Sequence, residues 1–125
     1  MALILSSCYI DYQINWNNAS RAALPLTIVL DGDLQVDEYE RFSGDLATIN
    51  DHSYSDKSPL SGFLLVPFIK VTDWIVDLSS YPKKEQLEIA IFIGAFLFGS
   101  IPMALMLLFA FKSRLRENKS ALLLL

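Results

Sequence analysis

Chemistry in this chain would have to come from a small set of charged residues in its first half. In YSDKSPLSGFLLVPF (residues 54–68), Asp56 and Lys57 stand side by side just ahead of a proline and a strongly apolar run. A charge at the edge of an apolar segment is costly unless something pairs with it. Either the two neutralise each other, or Lys57 awaits an anion from outside the chain. A lysine ammonium is a compact point charge suited to a phosphate, and its bland counterpart is a lysine snorkelling to water. Asp56 could orient Lys57, act as its counter-charge, or contribute to a divalent metal site, since hard cations take carboxylate oxygens. Asp45, beside Gly44, is a turn residue by type and a candidate base by its place in the loop before Lys57. Asp37 is a weaker candidate for the same role. Arg21 suits either a phosphate or an acid of the same loop. His52, the one histidine, has no partner at metal-ligand spacing and reads as an exposed turn residue.

These residues sit in a chain whose charges are segregated. Residues 11–57 carry nine acids against three bases, and residues 112–119 carry four bases against one acid, all within a net charge of -4. The pattern excludes a nucleic-acid binder, which needs a basic face along the folded domain. Between the two zones, Ile89 to Phe111 runs 23 residues without a charge. As a helix it would reach roughly 30–35 Å, enough to cross a hydrocarbon core. Gly94, Ala95, Gly99, Ser100 and Ala104 are places where another helix can come close, and Pro102 predicts a kink without a break. The basic cluster KSRLRENK follows the span directly, so the C-terminal end is expected in the cytoplasm and the acidic region outside it; in a bacterium that means the inner membrane with an extracytoplasmic loop.

The elements around the site are expected as follows. Residues 1–10 (MALILSSCYI) read as the end of a membrane helix, too short and uncharged for a secretory signal. The lone Cys8 excludes an intrachain disulfide. Residues 11–86 form an extracytoplasmic loop with two short helices. The first covers about 20–30, capped by Asn18 or Ser20, blemished by Pro25 and ended by Gly32. The second covers about 60–78 and is interrupted by Pro67, Lys70, Asp73 and Asp77, so it is expected to lie along the membrane interface. Residues 31–53 read as loop, with turn signals at DGD, GDL and NDH. A transmembrane helix covers 87–112, and 113–125 holds a cytoplasmic segment and the start of a further helix. The fold class is an all-α membrane protein.

In order, N-x-N-x-x-S-R (Asn15, Asn17, Ser20, Arg21), D-G-x-L-x-x-D-x-Y (Asp31, Gly32, Leu34, Asp37, Tyr39), G-D (Gly44, Asp45) and Y-S-D-K-x-P (Tyr54 to Lys57, Pro59) precede the apolar run. This set resembles the first extracytoplasmic region of polytopic glycosyltransferases of the GT-C fold, over residues 10 to 70. That family includes protein mannosyltransferases and aminoarabinose transferases. The resemblance implies a many-helix bundle that moves a sugar from a polyprenyl-phosphate carrier to an acceptor hydroxyl outside the cytoplasm. It implies that Lys57, and more weakly Arg21, contacts the carrier phosphate, that Asp45 or Asp37 takes the acceptor proton, and that Asp56 is a candidate metal ligand. The partners it implies are membrane lipid, the lipid-linked sugar donor, and the remaining helices of a larger bundle; a 125-residue chain with one full span is expected to be inactive alone. One departure stands out: several branches carry Asp or Glu at the start of this loop, where this chain has Asn15-Trp16-Asn17-Asn18, and an amide is no general base at neutral pH. The alternative expectation is a small single-span membrane protein whose acidic external region binds a partner without catalysis.

Overall fold

The computed structural model describes residues 13–122, with side chains to residue 114; the expectations for residues 1–10, Cys8 and residues 123–125 lie outside the described residues. Two compact units divide the chain, residues 13–94 and residues 95–122 among those described.

The first unit opens with α1 (Trp16–Leu30), longer at its start than the sequence suggests. The reason is a reciprocal cap built from amides. The Asn15 side chain accepts the Asn18 N–H at 3.0 Å, and the Asn15 N–H donates to Asn18 Oδ1 at 2.8 Å. The helix tolerates Pro25, which costs one ladder bond but is buried with its neighbours Ala22, Ala23, Leu24 and Leu26. After the helix, Gly32 takes a left-handed φ of +72° that lets the chain turn away.

Residues 37–53 depart from the loop expected over 31–53. A 3-10 turn (Asp37–Phe42) leads into an antiparallel hairpin of β1 (Leu46–Ile49) and β2 (His52–Ser55). Its two-residue turn, Asn50-Asp51, has positive φ at both positions, 51° and 65°. That is the mirror-image turn whose twist matches paired strands, and Asn and Asp tolerate it. The all-α expectation is therefore corrected to a mostly helical fold with one hairpin. Each strand has four residues, and their exposure does not alternate cleanly, so no period-two pattern announces them.

From Ser58 the chain enters α2 (Pro59–Val76), with Pro59 in the first turn where its missing N–H costs nothing. The helix ends through its acids: Asp77 adopts φ 51°, its N–H reaches the Asp73 carbonyl at 2.8 Å, and the Asp73 carboxylate accepts the Leu78 N–H at 2.9 Å. Thus Asp73 and Asp77 stop the helix rather than interrupt it. α2 packs on α1, with Gly62 so close that a Cβ there would meet Leu24 Cδ2 at 2.9 Å. Its opposite face leaves Leu60, Phe63, Phe68, Val71, Trp74 and Ile75 exposed.

A short turn (Leu78–Ser80) precedes α3 (Lys83–Ala95). Here lies the polar centre of the unit. Tyr39 and Gln86 are each 1 % exposed. The Tyr39 hydroxyl donates to Gln86 Oε1 at 2.5 Å, and Gln86 Nε2 donates to the carbonyls of Leu78 and Tyr81, both at 2.9 Å. Val36, Ile69, Leu78, Leu87 and Ala90 are fully buried in the same unit.

In the second unit, a π-helical stretch (Phe96–Ser100) runs into α4 (Ile101–Leu122). The Ile101 N–H reaches back five residues to the Phe96 carbonyl. Pro102 explains it: its ring crowds the preceding turn and it has no N–H to offer, so the helix widens ahead of it. α4 continues to Leu122 without a break after residue 112. Two helices are long and apolar enough to cross a membrane by length and composition, Pro59–Val76 and Lys83–Arg114. The first of these is the segment expected along the interface.

Removing the Tyr39 hydroxyl should strand the buried Gln86 oxygen. The Tyr39→Phe variant is expected to lose about 1–3 kcal/mol of stability, read as a lowered denaturation midpoint, while Tyr54→Phe at a half-buried hairpin position should change it by less.

Candidate functional site

The register of the hairpin assembles the site. Leu46 pairs with Ser55 at its open end, so the residues just beyond that pair, Asp45 and Asp56, emerge side by side. Lys57 follows, and its ammonium lies 3.1 Å from Asp45 Oδ2 and 3.3 Å from Asp56 Oδ1. All three side chains are partly exposed, at 24 % for Lys57, 33 % for Asp45 and 39 % for Asp56. The Asp45 carboxylate, opposed by partial burial and helped by Asp56, holds the Lys57 pKa above its ordinary value. Lys57 therefore stays cationic, and of the two alternatives in the sequence the pairing with Asp56 is present, joined by Asp45: the ammonium shares two carboxylates, and the local charge is net negative.

α1 holds this corner in place. The Ser20 and Ser55 hydroxyls meet at 2.8 Å, joining the second turn of α1 to the end of β2. Ser43 Oγ donates to the Trp16 carbonyl at 2.7 Å and accepts the Asp45 N–H at 3.1 Å. Gly44 sits against the Trp16 indole, where a Cβ would come within 3.0 Å of the ring. The G-D pair thus has a physical reason: glycine lets the loop pass under the indole, and Asp45 follows at a fixed height. Sequence reasoning missed Trp16, Ser43 and Ser55 as positioning residues. Their signal was the hairpin register, which the short strands hide. The Asn15-Trp16-Asn17-Asn18 stretch serves as helix cap and indole support.

Asp37, the weaker base candidate, faces other partners. Its Oδ1 accepts the Ser53 N–H at 2.5 Å, and its Oδ2 lies 2.8 Å from His52 Nδ1. The His52 bond first, then the Ser53 bond, lowers its pKa. That makes Asp37 a weak proton acceptor and a clamp between the 3-10 turn and β2, reinforced by the Val36 N–H to the Ser53 carbonyl at 2.8 Å. His52 is exposed, as expected, but it opens β2 opposite Ile49 instead of lying in the turn, and it is the partner of Asp37. Arg21 is exposed on α1 beside Ser20 and forms no ion pair among the described residues; the expected acid partner in the loop is not seen there.

A second charged surface lies on the 3-10 turn. Glu38 pairs with Lys83, whose ammonium is 5.1 Å from the Tyr39 ring centre, and Arg41 lies 4.7 Å over the Phe42 ring. Asp37, Glu38, Glu40, Arg41, Ser43 and Lys83 line an open cleft of about 760 Å³. Among the described residues no group of three or more His, Cys, Asp or Glu side chains converges as metal ligands. Asp56 offers only a carboxylate already engaged by Lys57, fewer oxygens than a hard cation takes.

Chemically, the corner can hold a proton on Lys57, accept one at Asp45, and exchange the counter-ions of Lys57. No family model, curated protein or solved structure matches this chain.

Because the folded carboxyl of Asp37 titrates below its unfolded counterpart, its contribution is present above the ordinary carboxylate value of about 4 and fades as pH falls through the lowered one. The Asp37→Asn variant should therefore melt below the parent protein at neutral pH, with the gap closing below about pH 4. A gap that persists undiminished in acid would assign the effect to something other than this carboxylate.

Proposed function

We propose that this chain is part of an integral-membrane glycosyltransferase that takes a sugar from a polyprenyl-phosphate donor and passes it to an acceptor hydroxyl on the extracytoplasmic side of a bacterial inner membrane, with the basic end of α4 in the cytoplasm. Further helices complete its bundle. The observation that carries this reading is the 3.1 Å approach of Lys57 to Asp45 at the head of an 18-residue apolar helix. A cation for a phosphate and an acid for a hydroxyl proton come from two separate motifs, G-D and Y-S-D-K-x-P, and meet where an anionic head with an apolar tail would lie.

In the reaction, the acceptor oxygen bonds to the anomeric carbon while the bond from that carbon to the phosphate oxygen breaks. The electron pair leaves on the phosphate, whose charge the Lys57 ammonium offsets. The acceptor proton passes to an Asp45 carboxylate oxygen. Arg21, exposed on α1 next to Ser20, is available as a second phosphate contact. Asp56 orients Lys57. The exposed apolar face of α2 offers surface to the isoprenoid tail.

The net negative charge around Lys57 favours a second reading, an acidic external region that binds a partner protein without catalysis. The two readings separate in one experiment. In the full-length protein, Lys57→Ala and Asp45→Asn should each lower sugar transfer by about a hundredfold or more, with partial recovery in Lys57→Arg. Transfer at the parental rate in both variants would overturn the glycosyltransferase assignment of these residues.

A further inference from the structure

Lys57 and Asp45 cannot serve the proposed reaction while bound to each other. An ammonium held by two carboxylates is a poor phosphate site, and a carboxylate neutralised by an ammonium is a poor base. We infer that the corner works by counter-ion exchange: the phosphate head of the donor draws Lys57 off Asp45, and the freed carboxylate then becomes available to the acceptor hydroxyl. This rests on the reading above and adds an order to it, donor before acceptor, with the base held inactive until the donor is seated.

Geometry supports the exchange. The Lys57 to Asp45 contact joins side chains on different segments, one before β1 and one after β2, so a rotation of the lysine side chain parts them without moving the hairpin. The contact to Asp56 is to the adjacent residue and longer, at 3.3 Å, so Asp56 can keep hold of Lys57 as it swings. Both Asp45 and Lys57 are partly open to solvent, and an ion pair at such exposure is weak enough for the singly charged phosphate diester of the donor to displace. Asp45 and Asp56 are the charged groups acting on Lys57, and Asp45 itself is fixed through its backbone to Ser43 rather than through its carboxylate. Losing Lys57 therefore leaves Asp45 in position.

Exchange makes Asp45 a competitor of the phosphate, and that has an unusual signature. With the protein in lipid nanodiscs and farnesyl phosphate, a short form of the lipid phosphate that the reaction releases, as probe, Asp45→Asn should bind about threefold tighter than the parent, although it removes the base and lowers sugar transfer. Lys57→Ala should bind at least about tenfold more weakly, because it removes the charge-assisted contact. Asp51→Asn, which deletes one negative charge at the hairpin turn away from Lys57, should leave affinity unchanged, and farnesol should bind all four proteins alike. Unchanged or weaker binding in Asp45→Asn, with Lys57→Ala still impaired, overturns the exchange and leaves the phosphate contact standing. A matching gain in Asp51→Asn also overturns it, since it reduces the effect to general repulsion. Parental binding in Lys57→Ala removes the phosphate contact itself and with it both readings.

Discussion

The Tyr39 hydroxyl and the Gln86 amide are buried together, and no arrangement of the surrounding apolar side chains could satisfy either alone. Burial, with Asp31 and Glu38 adding to it, pushes the Tyr39 pKa up, so the hydroxyl remains a donor at any ordinary pH. Gln86 returns the contact and spends its two N–H groups on the Leu78 and Tyr81 carbonyls. One side chain pair thus fixes the 3-10 turn, the Leu78–Ser80 turn and the start of α3. Everything polar on the outer side is arranged from there. Asp37, two residues before Tyr39, is delivered to Ser53 and His52; Glu38 is delivered to Lys83; and the chain leaves Phe42 aimed so that Ser43 reaches the Trp16 carbonyl. A buried polar network with every member paired specifies one arrangement more sharply than apolar packing does.

The same logic explains why residues 11–86, with twelve acids, can keep a lysine in a defined place. The acids are apportioned. Asp37 is consumed by the hairpin, Glu38 by Lys83, and Asp73 by the end of α2. Only Asp45 and Asp56 converge on Lys57. The corner therefore holds one cation between two anions, so that no charge in it stands unpaired.

Much of this was legible in the sequence, in proportion to the length of the signal. The uncharged run from Ile89 to Phe111 announces a long helix, and the apolar run after Pro59 announces α2, because many residues vote for the same period. Pro102 announces the distortion that the π-helical stretch records. The pairing of Asp56 with Lys57 is legible because the two are neighbours. The participation of Asp45 is not, since it depends on a hairpin of two four-residue strands whose amphipathic pattern is too short to register. α1 begins four residues early because two asparagines cap each other, a device that reads as polar loop until the reciprocal bonds are seen. The asparagine stretch is architecture: its amides hold the helix end and its indole covers Gly44.

The pairing of Leu46 with Ser55 has a bearing on how this segment can vary over evolutionary time or in the hands of an engineer. Residues 45 and 56 meet because the strands between them are equal in length on either side of the turn. Deleting one residue from β1 alone would slide the strand by a position, carry Gly44 up to where Asp45 stands, and turn the carboxylate toward the opposite face of the ribbon. Paired deletions, one from each strand, would shorten the hairpin and leave the acid where it is. The hairpin is thus free to drift in length only in balanced steps, and an unbalanced change in one strand would carry Asp45 away from Lys57 without touching any of the three charged residues.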